Sequence, residues 1–409
     1  MSALEACRSC GGKDFFEFLS LGNHPLANAL LTEETLGEPE DKYPLEVVVC
    51  TKCSLVQITE TVPPELLFRN YIYFSSFSDT MLRHARDVAE RLTRERHLGS
   101  DSLVVEIASN DGYLLKNFVA AGVPVLGIEP ARNIAKVAQQ HGVNTISEFF
   151  GADLALHLVA QGHSADVILA NNVMAHAPDI NSMMAGIKTL LKPDGVFVLE
   201  TPYLKDMLDK VEFDTMYHEH FFCHSLTALE HAFRRHGLAA ADVQHISLHG
   251  GTIQVSAVHV GREGTRPAVH KMLDDEAAWG VSRPDTYRNF ASKVNALRSD
   301  LKKLLHSLKV DGKRVAAYGA AAKGATLLNS FGIGSESLDY VVDRSTHKQG
   351  KFMPGNHLPI YSPERLIEDQ PHYALLLAWN LVDEVLDQQS EYHRRGGRFI
   401  IPVPELKVV

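Results

Sequence analysis

Short apolar runs alternate with stretches of helical periodicity from residue 102 to the end of this chain. The first series covers residues 103–107, 124–128, 165–169 and 196–200, and the second covers residues 314–318, 338–342, 373–377 and 398–401. Runs of this length bounded by turn residues predict buried strands, and the stretches between them predict helices packed on parallel sheets. A mostly helical stretch, 274–310, joins the two series. The pattern therefore predicts the α/β class, with two successive doubly wound halves.

The pattern before residue 102 predicts a small separate module followed by a helical stretch. Residues 63–98 contain one apolar stripe at helical spacing, formed by Met81, Ala85, Val88, Ala89 and Leu92. The chain of 409 residues is long enough for two or three domains.

Four of the five cysteines form two Cys-x-x-Cys pairs, made by Cys7, Cys10, Cys50 and Cys53. Two such pairs can supply four thiolates in a tetrahedron, which is the arrangement that structural zinc prefers. Because protein ligands would fill all four positions, none is open for catalysis. Two redox pairs or four incidental core thiols are the alternatives, but disulfides are rare among reduced cytoplasmic thiols. We predict a structural zinc site.

Composition and charge exclude several classes of partner. Lys and Arg number 40 against 50 Asp and Glu, a formal net charge of −10. Proteins bind nucleic-acid backbones mainly through Lys and Arg, so nucleic acid is not an expected partner. The apolar runs are shorter than the roughly 20 residues that span a bilayer, and the N-terminus lacks the basic and apolar regions of a signal peptide. We expect a cytoplasmic protein with no membrane partner.

The first predicted strand of the middle region ends in the turn Glu106-Ile-Ala-Ser-Asn-Asp-Gly112. Such turns lie where open α/β sheets bind nucleotide cofactors, and Glu129, which ends the next strand, can accept hydrogen bonds from ribose hydroxyls. The turn resembles the Glu-x-Gly-x-Gly-x-Gly motif of class I methyltransferases, with Ala108 and Asn110 replacing two glycines. An acidic start without Gly-x-Gly-x-x-Gly argues against NAD. The turn favours S-adenosylmethionine, with a generic α/β core as the alternative.

Titratable side chains are concentrated in Tyr217-His-Glu-His220, which Cys223 and His224 follow closely. His218 and His220 could bind a metal, although no clear third ligand is present, and a surface cluster is the second possibility. The third is a general base. Methyl transfer to carbon requires removal of a proton next to a carbonyl group, and histidine has a pKa near the working pH. This chemistry favours the third interpretation.

Taken in order, these motifs resemble the sugar C-methyltransferases of unusual deoxysugar biosynthesis. The resemblance covers nearly the whole chain and includes the four cysteines and residues 71–78, 106–112, 217–220, 249–252 and 318–324. It implies a zinc-binding module, a methyltransferase domain and a Rossmann-like C-terminal domain, which we place at residues 1–62, 63–265 and 266–409. It further implies C-methylation, commonly at C-3, of a dTDP-linked 4-keto-deoxysugar.

The resemblance also implies roles for individual residues. His220 would be the base, Tyr217 and Glu219 would support it, and His176 would line the active site. Cofactor contacts are expected from the predicted turn and strand ends and from the segment 71–78, namely from Tyr71, Ser78, Glu106, Ala108, Asn110, Gly112, Glu129 and Asn171.

Substrate contacts are expected from Tyr203, His249, Lys323 and Asn380. Lys323 follows a predicted strand where a helix begins, so the N–H groups there could hold phosphate, and we predict that the C-terminal domain helps to bind the sugar nucleotide. A structural domain without a ligand is the alternative. Three other functions remain open: a methyltransferase acting on another small-molecule acceptor, a zinc-ribbon RNA-modifying protein, which the acidic charge disfavours, and an oxidoreductase. A monomer fits the sequence, which leaves the oligomeric state undecided.

Overall fold

A computed structural model describes residues 2–68, 76, 79–247, 250–262 and 264–409, with the backbone alone at residues 2, 3 and 79. The middle of the chain forms a seven-stranded sheet. In spatial order its strands are Leu238–Ile246, Thr252–His259, Leu191–Pro202, Ala165–Asn171, Val104–Ile107, Val125–Ile128 and Thr145–Ile146. Thr252–His259 runs antiparallel to the other six strands. The order reverses between Ala165–Asn171 and Val104–Ile107, which creates a crevice where such sheets bind ligands.

Helices cover both faces of this sheet, so successive strand residues pack into different clusters. Val104 contacts one core with Val88 and Phe118, whereas Val105 contacts the other with Leu158 and Ile187. The helices are Asp79–Glu95, Leu115–Ala120, Arg132–Gln140, Ala152–Ala160, Ile180–Leu190, Leu204–Asp209 and Leu226–Arg235. The predicted α/β class is confirmed. The hairpin formed by Leu238–Ile246 and Thr252–His259 was not part of the sequence prediction.

The last third of the chain forms a second open sheet. Its strands lie in the order Ile360–Tyr361, Val341–Val342, Val315–Tyr318, Tyr373–Leu376, Arg398–Ile401 and Lys407–Val408, and only the last pairing is antiparallel. Its helices are Ala322–Phe331, Arg365–Asp369, Val382–Gln388 and Ser390–Arg394, and the preceding helices Pro267–Trp279 and Pro284–Val310 join it to the middle sheet. Strand order reverses between Val315–Tyr318 and Tyr373–Leu376, so a second crevice opens there.

An antiparallel four-stranded sheet forms the N-terminal module, with strands in the order Phe222–Cys223, Val56–Ile58, Tyr43–Cys50 and Phe15–His24. Its neighbours are a two-stranded ladder, Ser2–Ala3 with Glu60–Thr61, and the helix Pro64–Phe68. Strand Phe222–Cys223 comes from the middle of the sequence, directly after Tyr217-His-Glu-His220. This pairing anchors the predicted catalytic segment against the N-terminal module. No helix among the described residues is long and apolar enough to cross a membrane.

Candidate active site

The cofactor turn has the backbone of a glycine motif although it contains one glycine. Ala108, Asn110 and Gly112 have φ angles of 53°, 49° and 77°, in the left-handed region that favours glycine. Asparagine adopts this region more readily than most residues, whereas a residue such as alanine is strained there by about 1–2 kcal/mol. The two residues that replace glycines in the sequence therefore adopt the conformation that glycines would adopt.

Gly112 also fits a space that excludes a side chain. A Cβ atom at this position would lie 2.8 Å from Cγ2 of Val143, whereas a Cβ at Gly122, with a similar φ of 74°, would contact nothing within 4 Å. Gly112→Ala should therefore destabilise the protein by about 2–4 kcal/mol, from strain and overpacking together. Gly122→Ala should cost only about 1 kcal/mol, from strain alone. Urea unfolding of the two variants measures the difference, and equal losses of stability would contradict the packing around Gly112.

Buried carboxylates surround this turn. Glu129 accepts hydrogen bonds from the backbone N–H groups of Asn110 (2.9 Å) and Ala131 (2.8 Å), and Asp111 accepts one from the backbone N–H of Ser76 (3.3 Å). Burial, followed by the nearby charges of Glu129 and Asp111, raises the pKa of Glu106 well above its usual value. Burial also raises the pKa of Glu129. The turn is therefore an acidic environment in which a cation would be stabilised.

Several acceptors at this sheet edge have no donor among the described residues. They are Oε2 of Glu106, Oδ1 of Asp111 and Oδ1 of Asn171. Buried polar atoms normally have hydrogen-bond partners, so the site fits a ligand that brings donors and positive charge. S-adenosylmethionine has both, in its sulfonium and amino groups and its ribose hydroxyls. Glu129 can still accept from the ribose because each carboxylate oxygen has two lone pairs.

The imidazoles of His176 and His220 lie close together beside the crevice of the middle sheet. His176 ends the short 3₁₀ helix Met174–His176, just after strand Ala165–Asn171, and its ring centroid lies 4.8 Å from that of His220. Nδ1 of His176 donates to the Glu219 carbonyl oxygen (2.7 Å), and Nδ1 of His220 donates to the Thr215 carbonyl oxygen (2.6 Å). A carbonyl can only accept, so each Nδ1 carries the proton and each Nε2 presents a lone pair.

Burial keeps both imidazoles neutral. It lowers the pKa of His176 to about 4. It also lowers the pKa of His220 to about 3, an effect to which His176 and Lys323 add. At neutral pH each Nε2 is therefore unprotonated. Tyr217 lies over His220, with its hydroxyl oxygen 3.2 Å from Nε2.

Glu219 contacts this pair through its backbone. Its carbonyl oxygen orients His176, whereas its carboxylate accepts a hydrogen bond from Asn28 of the N-terminal module (2.7 Å). Burial raises the pKa of Glu219 to about 7. The second carboxylate oxygen, Oε2, has no partner among the described residues. Glu219 therefore orients His176 through its carbonyl group, and the expected support of the base by its side chain stays a prediction.

The C-terminal domain contributes a cation to the same region. Lys323 donates from Nζ to Oδ1 of Asn380 (2.9 Å), and its Nζ lies 4.3 Å from the ring centroid of Trp379. Burial lowers the pKa of Lys323, while Asp214 and Glu212 oppose that shift. Lys323 and Asn380, singled out from the sequence, therefore meet at the crevice of the second sheet, beside acidic groups of the middle domain.

Glu212 and Asp214 were not recognised as site residues from the sequence. Both side chains are buried, and burial raises their pKa values to about 7 and about 6, although Lys323 opposes this in each case. Oε1 of Glu212 and Oδ1 of Asp214 have no hydrogen-bond partner among the described residues. Their position five and three residues before Tyr217 was a weak signal, because acidic residues are common on surfaces.

The remaining predicted residues have different positions. The Tyr203 hydroxyl hydrogen-bonds to Glu276, which also accepts from the N–H groups that begin helix Leu226–Arg235. In this structure Tyr203 therefore joins packed helices, and its contact with substrate stays a prediction. Tyr71, Ser78 and His249 lie outside the described residues, so their roles stay predictions too.

The histidines do not form the metal pair that was considered. Nε2 of His218 hydrogen-bonds to the Pro44 carbonyl oxygen (3.1 Å), whereas His220 faces His176. His224 is buried and bonds to Thr201 through Nδ1 (3.1 Å). Across the described part of the chain, the one group of three or more His, Cys, Asp or Glu side chains placed to hold a metal ion consists of cysteines.

That group consists of Cys7, Cys10, Cys50 and Cys53, whose sulfur atoms lie within 4.8 Å of one another. The Sγ–Sγ distances are 3.7 Å for Cys7 and Cys53 and 3.6 Å for Cys10 and Cys50. Four thiolates around zinc at about 2.3 Å would be separated by about 3.8 Å. The cluster therefore has the size of a tetrahedral zinc site.

Family models match three consecutive parts of the chain. They are described as "Putative zinc binding domain" (residues 7–68), "Methyltransferase domain" (residues 81–243) and "C-methyltransferase C-terminal domain" (residues 247–404). The C-methyltransferase NovU of Streptomyces niveus is 39% identical over 407 residues, which cover 99% of this chain and 97% of NovU.

Other similarities are shorter or confined to the fold. A ubiquinone biosynthesis O-methyltransferase of Haemophilus ducreyi is 30% identical over 104 residues, 24% of this chain and 44% of that protein. The structure of magnesium protoporphyrin IX methyltransferase from Synechocystis with bound S-adenosylmethionine covers 46% of this chain and 86% of its own, at 15% identity and a TM-score of 0.35.

Fold, site and relatives together define the class as S-adenosylmethionine-dependent methyltransferases. Within that class, the chain belongs to the family of C-methyltransferases that includes NovU. The predicted family and enzyme class are confirmed.

Proposed function

We propose that this enzyme methylates a carbon next to the keto group of a nucleotide-linked keto-deoxysugar, namely C-3 of a dTDP-linked 4-keto sugar. The observation that carries the proposal is the unprotonated Nε2 of His220 beside the Tyr217 hydroxyl. A neutral base and a donor in contact suit removal of a proton from carbon and stabilisation of the enolate oxygen. The resemblance of the ordered motifs to sugar C-methyltransferases supports the same acceptor.

In the first step, Nε2 of His220 takes the C-3 proton, and the electron pair left behind delocalises onto the C-4 oxygen. The Tyr217 hydroxyl would donate to this oxygen. S-adenosylmethionine, which Glu106, Glu129 and Asn171 would hold, would supply the electrophilic methyl group to C-3 and would be released as S-adenosylhomocysteine. Protonated His220 is then an imidazolium. His176, whose Nε2 also presents a lone pair, stays neutral beside it, so no second positive charge develops there.

The acceptors without partners describe how the sugar would be held. One carboxylate oxygen of Glu212 and one of Glu219 lack a donor among the described residues, and sugar hydroxyls are donors. Lys323 and Asn380 lie on the C-terminal side of the same region, from which the domain would contact the rest of the sugar nucleotide. The reacting sugar would then lie between three parts of the chain, with Asn28 of the N-terminal module behind Glu219.

Incubation of the enzyme with S-adenosylmethionine and a panel of acceptors, followed by mass spectrometry, tests the proposal. A dTDP-4-keto-6-deoxysugar should gain one methyl group. The matched sugar nucleotide with a hydroxyl at C-4 should not, because no carbonyl acidifies its C-3 proton. Methylation of the hydroxyl sugar, or of RNA alone, would contradict the proposed acceptor.

A further inference from the structure

The C-terminal domain holds a short turn of the middle domain through two contacts. The turn is the 3₁₀ helix Phe213–Thr215. Nε1 of Trp379 donates to Oδ2 of Asp214 at 2.8 Å, and the ring of Phe213 stacks on Phe331, with centroids 4.8 Å apart and planes 12° apart. Asp214 is fully buried. A charge-assisted hydrogen bond in a buried site fixes geometry strongly, so the position of this turn depends on Trp379.

The same turn determines the tautomer of His220. The Thr215 carbonyl oxygen accepts the Nδ1 proton of His220 at 2.6 Å, and this bond leaves Nε2 unprotonated. If the turn moved, Nδ1 would lose its acceptor and the tautomer protonated on Nε2 would gain population. An imidazole with its proton on Nε2 cannot accept another proton there, so the population of the competent base would fall.

We propose that Trp379 and Asp214 are positioning residues for the base. Through the turn Phe213–Thr215, they hold the Thr215 carbonyl where it keeps the proton of His220 on Nδ1. The inference rests on the proposed function in one respect, that His220 acts through Nε2. The C-terminal domain would then have two roles, contact with the substrate and orientation of the base. Its Trp379 would help to orient His220 of the middle domain.

The chain contains its own matched control. It has two tryptophans, and each donates from Nε1 to an aspartate. Trp279 donates to Oδ1 of Asp209 at 3.0 Å in an exposed contact, whereas Trp379 donates to the buried Asp214. Replacement of either tryptophan by phenylalanine removes one indole N–H. In Trp379→Phe the aromatic face beside the Lys323 ammonium is retained.

The kinetic test compares these two variants. Trp379→Phe should lower kcat by about 10- to 100-fold, while KM for the acceptor and Kd for S-adenosylmethionine stay within about twofold. Trp279→Phe should leave all three values unchanged. Wild-type kcat in Trp379→Phe would overturn the inference, and so would a loss confined to KM.

Asp214 provides a rescue experiment on the other side of the same hydrogen bond. Asp214→Asn keeps an oxygen that can accept from Trp379, so most of kcat should remain. Asp214→Ala removes the acceptor and should match Trp379→Phe, and it also tests the bond if Trp379→Phe fails to fold. Equal losses in the Asn and Ala variants would contradict a positioning role, because charge alone would then account for the effect.

Nitrogen NMR of histidine-labelled enzyme reads the tautomer directly and needs no acceptor. The His220 resonances are assigned by their absence in His220→Asn. Wild type should show Nδ1 protonated, whereas Trp379→Phe and Asp214→Ala should show a mixture with protonated Nε2. An unchanged tautomer in both variants would overturn the inference. A failure of the proposed function would look different from a failure of this inference. If the proposed function were wrong, wild type would methylate no keto-sugar, but the NMR experiment would still show the change of tautomer in the two variants.

Discussion

His220→Asn should transfer methyl groups about 10²- to 10⁴-fold more slowly than wild type, the range that a positioned general base contributes. The asparagine amide can still donate to the Thr215 carbonyl oxygen, which His220 Nδ1 contacts at 2.6 Å, so the turn keeps its partner. The variant has no nitrogen lone pair at the position of Nε2. Initial rates at saturating S-adenosylmethionine and acceptor measure the loss, which should fall on kcat more than on KM.

Two further variants make this result specific. His141→Asn changes an exposed histidine that follows helix Arg132–Gln140 and should keep wild-type activity. His176→Asn should lose less activity than His220→Asn, because the Tyr217 hydroxyl lies at hydrogen-bonding distance from His220. If His176→Asn were the more damaged variant, the base would be His176 and the assignment within the pair would be wrong.

Loss of one cluster cysteine should be the most destabilising single change in the N-terminal module. We propose that Cys7, Cys10, Cys50 and Cys53 hold one structural zinc ion. Zinc in small structural sites contributes apparent free energies of about 10–16 kcal/mol, comparable with the whole stability of a typical protein, about 5–15 kcal/mol. Cys50→Ala should therefore contain little zinc, and its four-stranded sheet should lose protection against hydrogen exchange.

The fifth cysteine supplies the control for that change. Cys223 is buried in strand Phe222–Cys223 of the same sheet and lies outside the cluster. Cys223→Ala should keep its zinc and lose only the stability of a small cavity, about 1–2 kcal/mol. Elemental analysis that finds no zinc in wild type, together with a thermal midpoint that a chelator leaves unchanged, would contradict the proposed zinc site.

Loss of the zinc ion should also lower the methyltransferase activity, because the N-terminal module contacts the segment that carries His220. Phe222 pairs with Gln57 of the N-terminal sheet two residues after His220, and Asn28 of the same module bonds to Glu219. Disorder in this sheet therefore releases the segment that carries the imidazole.

Local sequence patterns predicted the fold class because they reflect local physics. Apolar runs mark buried strands wherever helices cover both faces of a sheet, and two Cys-x-x-Cys pairs define a tetrahedral site through their spacing. The turn from Glu106 to Gly112 was recognisable despite two missing glycines, because Glu106 and Gly112 keep their places in the motif and Glu129 ends the next strand. The strand Phe222–Cys223 was not recognisable, since only two residues pair and their partner lies in another module.

The contacts of the site were less accessible from the sequence. The segment Tyr217-His-Glu-His220 drew attention by composition, but two of its hydrogen bonds are made to Asn28 and Pro44, which only tertiary packing brings close to it. The pairing of Trp379 with Asp214 joins residues 165 positions apart in sequence. Tyr203, at the end of a strand like other candidates, is bonded to Glu276 of a later helix, a contact that no local pattern indicates.

The most direct measurement follows deuterium placed at C-3 of a dTDP-4-keto-6-deoxysugar. The enzyme and S-adenosylmethionine are added, and the product is analysed by mass spectrometry beside a sample without enzyme that reports spontaneous exchange. Because His220 must remove the atom on C-3 before that carbon takes the methyl group, we predict a product that has gained one methyl group and lost its deuterium. A methylated product that keeps its deuterium would contradict carbon methylation at C-3 through this base.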